Sequence, residues 1–249
     1  MSNFTIAVFL FLAILAEILG TVGGFGSSIY FVPLAEYFLD FQTVLGITAL
    51  FHVSSNLTKI GLFRKGIDPR ILIYLGIPAV LFVILGAALS RYVKKETFEL
   101  SISILLVILG LALLLFRNLK LNINPVNSIT GGALSGFVAG LMGTGGAIRG
   151  LVLSAFQLEK EVYIASSAII DLGVDVSRSV VYVMNGYVHN DILYLVPLLI
   201  LVSLIGTYLG KLILNRIPSE RFQKMTLVLI LLIGMGGIVK VLLRSYNNI

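Results

Sequence analysis

Three polar residues recur on one helical face at two places in the chain. His52, Asn56 and Lys59 stand at i, i+4 and i+7, and Asp171, Asp175 and Arg178 occupy the matching positions 119 residues later. Residues at that spacing share one face of an α-helix. Lys59 and Arg178, together with Arg149, are cations that can neutralise an anionic solute, and His52, Asp171 and Asp175 can accept and release protons. A plainer arrangement fits the same residues: Asp175 paired with Arg178 as a structural ion pair, and Asp171 bonded to a neighbouring hydroxyl. Lys59 is near a helix end, from which its long stem can snorkel to the membrane surface. Glu17 lies deep enough in an apolar run to be a candidate coupling carboxylate. Glu36 reads as interfacial, and His189 reads as solvated in a turn with Asn190 and Asp191.

A glycine cluster also occurs twice. Gly20-Thr21-Val22-Gly23-Gly24-Phe25-Gly26 returns as Gly140-Leu141-Met142-Gly143-Thr144-Gly145-Gly146, an offset of 120 that also aligns Gly66 with Gly186 and the run Gly86 to Arg91 with Gly206 to Lys211. An offset shared along most of the chain marks an internal repeat. Half-helices are expected to start near Gly26 and Gly146, and a helix start offers unpaired N–H groups and the positive end of its dipole to an anion. The expected substrate-binding set is Gly23, Gly24, Gly26, Ser27, Ser28, Asn56, Gly143, Thr144, Gly145, Gly146, Arg149 and Arg178, with His52, Asp171 and Asp175 for proton coupling. The alternative use of the glycines is close helix packing.

The elements that must position these residues are membrane spans. Of 249 residues 58% are apolar and only 12% charged, with a mean hydropathy of +1.03. A soluble domain carries about twice that share of charge, so soluble enzymes, disordered chains and nucleic-acid-binding modules are excluded. With no Cys in the chain, thiolate metal sites and disulfides are excluded too. The chain has no HExxH, GxSxG or Walker sequence, and no metal or cofactor is expected. The first apolar run is expected to stay in the mature protein, because Met1 to Asn3 carry no cation and Glu17 interrupts the run.

Ten apolar segments are expected: Phe4 to Leu19, Ser27 to Leu39, Thr43 to Phe63, Pro69 to Ser90, Phe98 to Phe116, Pro125 to Met142, Gly146 to Leu158, Val162 to Met184, Ile192 to Leu214 and Phe222 to Val239. Six are long enough to span a bilayer. The expected fold is an all-α polytopic membrane protein, one membrane domain over 1–249, built of two inverted repeats (4–117 and 125–244). Each repeat holds a broken or re-entrant helix pair followed by three transmembrane helices, an odd number of crossings that inverts the second copy. The net charge of +6 then acts as an orientation signal. One side receives Arg64, Lys65, Arg70, Arg117, Lys120, Lys160, Arg216, Arg221 and Lys224, and the other receives Arg91, Lys94, Lys95, Lys240 and Arg244. The first side is expected to be cytoplasmic, with both termini outside.

With its repeated G-x-x-G-G-x-G type cluster heading each half and a polar face one span later, the chain resembles the TauE/SafE sulfite exporter family, also called the toluenesulfonate uptake permease family. The resemblance covers nearly the whole chain and is carried by Gly20, Gly23, Gly24 and Gly26 and by Gly140, Gly143, Gly145 and Gly146. It implies a permease for sulfite, organosulfonates or thiosulfate in a bacterial-type inner membrane, not an enzyme. The expected mechanism is secondary transport by alternating access, with possible proton coupling. An anion channel or uniporter is the alternative; an intramembrane enzyme or scaffold lacks a nucleophile and base in reach of each other. The expected partners are the solute and the lipid bilayer, with no nucleic acid and the oligomeric state left open.

Overall fold

The computed structural model describes residues 2–63, 66–92, 95–115 and 123–247, with the side chains of 95–99 and 244–247 excepted. The cations Arg64, Lys65, Lys94, Arg117 and Lys120, and the side chains of Lys95 and Arg244, lie outside the described residues. Among those described, the regular elements are helical: α1 (Asn3–Gly23), α2 (Ser28–Ala35), α3 (Phe41–Leu62), α4 (Pro69–Tyr92), α5 (Lys95–Leu115), α6 (Pro125–Met142), α7 (Gly146–Ala155), α8 (Lys160–Met184), α9 (Leu195–Leu214) and α10 (Ser219–Asn247). Helix α4 includes a π-helical stretch at Leu72–Gly76 and ends in a 3₁₀ turn.

Local chemistry sets the helix ends. Side chains of Ser2, Asp40, Asp68 and Asn124 accept backbone N–H bonds in the first turns of α1, α3, α4 and α6. Pro69 and Pro125 occupy first positions, where no N–H is needed. Helices α1 and α6 both stop at a left-handed glycine, Gly24 at φ 76° and Gly143 at φ 75°, a conformation an L side chain resists. These two caps lie 119 residues apart, the spacing of the polar faces, and the short helices that follow them start 118 apart, at Ser28 and Gly146. The sequence placed the first break at Gly20. The structure keeps Gly20 to Gly23 helical, because Gly20 lies against the backbone of Gly26 and Ser27, where a side chain would not fit, and this packing overrides glycine's low helix propensity. The short helices end sooner than expected. Helix α2 contains Pro33 and gives way to turns after Ala35, and α7 stops at Ala155 before Gln157 at φ 51°.

Four helices, α1, α4, α9 and α10, are long and apolar enough to cross a membrane. Helices α3 and α8 are as long, with 22 and 25 residues, but carry the polar faces and lie at the centre, packed on each other. They run antiparallel: the start of α3 at Phe41 and Leu45 clusters with Tyr182 in the last turn of α8 and Tyr187 just beyond it, and mid-helix Asn56 meets Asp175. Helix α2 doubles back along α1, with Phe9 against Phe31 and Phe38 at 5.6 and 5.5 Å. Helix α7 doubles back along α6, with Val152 over Gly131. Helices α1 and α9 run parallel, Gly206 on Glu17 and Gly210 on Thr21. Helices α6 and α4 also run parallel, with Gly132, Gly136 and Gly140 successively on Leu75, Ala79 and Val83. Helices α5 and α10 are antiparallel, Gly110 by Leu231 and Gly234 by Val107. The outer faces of α4 and α9 expose Leu81, Leu85, Leu201 and Ile205, as a surface covered by lipid does.

Backbone contact between α6 and α4 depends on Gly136, where an added Cβ would strike the Ala79 backbone. We expect Gly136→Leu to lower stability by about 3 kcal/mol, measured by unfolding in detergent. Gly236→Ala, which meets nothing within 4 Å, should not lower it.

Candidate functional site

The two helix starts and the two polar faces converge. A small cavity of about 10 Å³, room for about one water molecule, is lined by Gly26, Ser27 and Ser28 at the start of α2, and by Gly143, Gly145 and Gly146 at the start of α7. His52, Asn56 and Lys59 of α3 and Asp171, Asp175 and Arg178 of α8 complete its lining. At the α2 start the N–H groups of Tyr30 and Phe31 already bond to the Ser27 carbonyl. The N–H groups of the first two residues of each short helix have no partner within it.

Each buried cation is paired with a carboxylate. Arg178, buried on α8, directs Nε and Nη2 to Asp175 Oδ1 at 2.7 and 2.6 Å and donates Nη1 to the Gly143 carbonyl at 3.0 Å. Asp175 also accepts from Asn56 Nδ2 at 2.6 Å, so its charge is shared between α8 and α3. Arg149 pairs with Asp171 and donates to Ser167 Oγ at 3.2 Å and the Phe25 carbonyl at 3.4 Å. Lys59 is 2.9 Å from Glu17 and donates to Ser55 at 2.8 Å. Three carboxylates and three cations therefore surround the cavity, and with neutral His52 the site carries no net charge.

Glu17 is fully buried and the most heavily bonded of these groups. Its oxygens accept from Ser27 and Ser55 at 2.5 Å each, Thr207 at 2.9 Å and Thr21 at 3.3 Å. Ser27 Oγ is also 2.8 Å from His52 Nε2, and His52 Nδ1 is 3.4 Å from Arg178 Nη2. The chain Lys59, Glu17, Ser27, His52, Arg178, Asp175, Asn56 is thus continuous across α1, α2, α3 and α8.

Of the residues expected to bind solute, the structure brings Gly26, Ser27, Ser28, Asn56, Gly143, Gly145, Gly146 and Arg178 to one cavity, together with His52, Asp171 and Asp175. Arg149 reaches it through Asp171. Gly23 lies under the Phe25 ring and Gly24 faces Phe222 and Tyr163, so both shape the turn instead. Thr144 turns away, into an apolar groove of about 480 Å³ between α1, α2, α5 and α10. Lys59 is buried on Glu17 and does not reach the surface. The plainer Asp175–Arg178 pair is present, and it lines the cavity as well. Sequence reasoning underrated Glu17 and missed Ser55 and Thr207; a carboxylate inside an apolar run, with Thr21 one turn on, was the available signal. Glu36, expected at the interface, pairs with Lys240 at 3.5 Å, and His189 is exposed as expected.

A family model described as Sulfite exporter TauE/SafE matches residues 9–236. No curated protein and no solved structure matches the chain.

Because Asp175 and Arg178 neutralise each other in the interior, removal of either alone leaves a buried charge unpaired. We expect Arg178→Ala and Asp175→Ala each to destabilise by about 3–5 kcal/mol. The double variant should lose clearly less than the sum of the two, as read by unfolding in detergent.

Proposed function

Given that the chain belongs to the TauE/SafE sulfite exporter family, a family of membrane transporters for sulfur-containing anions, we propose that it is a secondary permease moving a small sulfur oxyanion or organosulfonate together with a proton by alternating access. The observation that carries this reading is the electroneutral cavity between two helix starts. Adding an anion alone would leave an unpaired charge in a medium where that is costly. A monovalent anion, such as a sulfonate or hydrogen sulfite, that arrives with a proton adds none. The binding groups are the N–H donors of Ser28, Ile29, Gly146 and Ala147, the hydroxyls of Ser27 and Ser28, Asn56 and Arg178, with Arg149 held behind Asp171.

Two inverted halves, α1–α5 and α6–α10, are the natural moving parts. This assignment is supported by the reciprocal pairing of α1 with α9 and α6 with α4, the antiparallel pairing of α3 with α8 and α5 with α10, and the doubling back of α2 and α7. In such an arrangement the short helices re-enter from opposite faces and aim their starts at the midplane, a general transporter design. Arg70, Lys160, Arg216, Arg221 and Lys224 gather at one end, where Lys211 Nζ reaches the Leu62 carbonyl and Lys160 Nζ the Ile217 carbonyl at 3.1 and 2.9 Å. By the positive-inside tendency that end is cytoplasmic and both termini are outside, in the inner membrane of a bacterial-type cell. A channel would use the same helix starts but needs an open path, and the cavity of about 10 Å³ is too small to hold an anion; a uniporter would share the site and differ only in lacking the coupled proton.

In proteoliposomes an inward proton gradient of one pH unit should let the sulfite monoanion accumulate to about tenfold the level reached without a gradient, one proton per anion being coupled to the tenfold proton ratio of each pH unit. Sulfite flux indifferent to the gradient would favour the uniporter. Arg178→Ala should abolish sulfite binding in the protein that remains folded.

A further inference from the structure

We propose that Glu17, reached through Ser27 and His52, takes up the proton that accompanies the anion. The inference rests on the reading of a proton-coupled permease and names the group that carries its proton. Hydrogen-bond direction comes first. Ser27 has one hydroxyl proton and two neighbours: Glu17 Oε2 at 2.5 Å, which as a carboxylate can only accept, and His52 Nε2 at 2.8 Å. The proton goes to Glu17, so Ser27 Oγ accepts from Nε2–H. His52 Nδ1 then holds a lone pair, and it faces Arg178 Nη2, a donor, at 3.4 Å. The network is consistent throughout only in this direction, with His52 neutral.

A proton arriving from water adds to His52 Nδ1. The Nε2 proton passes to Ser27 Oγ as the Ser27 hydroxyl proton passes to Glu17 Oε2. One proton has entered. Glu17 is now neutral, Ser27 keeps a hydroxyl, and His52 is again neutral but carries its proton on Nδ1. Two changes in the site follow. Lys59, whose partner at 2.9 Å was Glu17, loses its countercharge, and the site moves from no net charge to a single positive one. At the same time His52 Nδ1–H and Arg178 Nη2–H become two donors facing one another, which an anion oxygen between them would satisfy. Protonation therefore creates the charge and the donor pair that an oxyanion requires, and the proton should bind before or with the anion.

Hydrogen-bond connectivity, and not the number of partners, selects Glu17 as the acceptor: of the site's three carboxylates it is the one joined to His52 through a hydroxyl. Glu17 faces Lys59 on α3, with Ser55 and His52 on the same helix, Ser27 before α2 and Thr207 on α9. The charges acting on His52 are Arg178 on α8, Glu17 on α1, Lys59 on α3 and Arg149 on α7, and three of these four are cations. Asp175 is held by Arg178 and Asn56, and Asp171 by Arg149 and Ser167. The hydrogen bonds of His52 run instead to Ser27 and Arg178.

The test is sulfite binding by the purified full chain as a function of pH, comparing wild type with Glu17→Gln, so that the titration of sulfite itself cancels. One linked proton makes the apparent Kd rise about tenfold more per pH unit in wild type, above the pH at which Glu17 titrates, than in the variant. Glu17→Asp, which keeps the carboxyl, should restore the steeper slope, an outcome that loss of structure would not give. Should Glu17→Gln fail to fold, Glu17→Ser, which carries no titrating group, is expected to flatten the slope equally, while His52→Gln, which cannot relay a proton, should slow proton uptake and leave the equilibrium slope unchanged. An unchanged slope in Glu17→Gln would overturn the inference and move the proton to Asp171 or Asp175, leaving the permease intact. Wild-type binding without a linked proton would also overturn it and leave a uniporter. A wild type that neither binds nor exchanges sulfite would overturn the permease reading and this inference together.

Discussion

A charge placed among apolar helices must be paired, and that constraint organises this protein. Glu17 with Lys59, Asp171 with Arg149 and Asp175 with Arg178 tie α1 to α3, α8 to α7, and neighbouring turns of α8 to each other. Asn56 links the last pair to α3. Replacing such pairs with apolar side chains would in general stabilise a fold as well or better. Their presence where two short helices begin is therefore not accounted for by stability alone, and the proposed anion site gives them a use.

Close helix approach makes the meeting possible. Glycines on α6 bring its backbone onto α4, and Gly206 and Gly210 let α9 lie on Glu17 and Thr21, which places Thr207 against the carboxylate. Glycine serves packing at Gly20 and Gly140, which are filled by neighbouring backbone, while Gly26 has open space with only Asp171 Oδ2 within 4 Å, at 3.8 Å. The open space at Gly26 is where the proposed solute contact would lie. The small size of the cavity follows from the same packing, since antiparallel α3 and α8 hold their polar faces in direct contact. Admitting an anion requires those faces to part or their side chains to turn, and a change in the charge of Glu17 acts at that seam.

Much of this was legible in the letters. The helices fall close to the apolar segments, with Pro125–Met142 matched at both ends, and the polar triplets on α3 and α8 meet as their shared spacing implied. Apolar periodicity and turn residues carry that information because both act locally. What escaped was set by distant partners. Glu17 gains its place from Ser55, Lys59 and Thr207, residues 38, 42 and 190 positions away, and no local pattern announces them. Lys59 stays buried for the same reason. Identical letters in the glycine clusters lie 120 apart, whereas the left-handed caps Gly24 and Gly143 lie 119 apart, because backbone conformation depends on the turn as a whole and not on each letter. Thr144 lines the apolar groove with Met142 and residues of α1, α2, α5 and α10, a placement set by those distant helices.

The central claim is that an oxyanion binds where the starts of α2 and α7 meet the faces of α3 and α8. A density map of the protein frozen with saturating sulfite tests it most directly. The account predicts an anion between His52 and Arg178, against the first N–H groups of α7, with those side chains drawn apart to admit it. Sulfite found at the outer rims, with the cavity no larger and the Asp175–Arg178 and Glu17–Lys59 pairs unchanged, would contradict it.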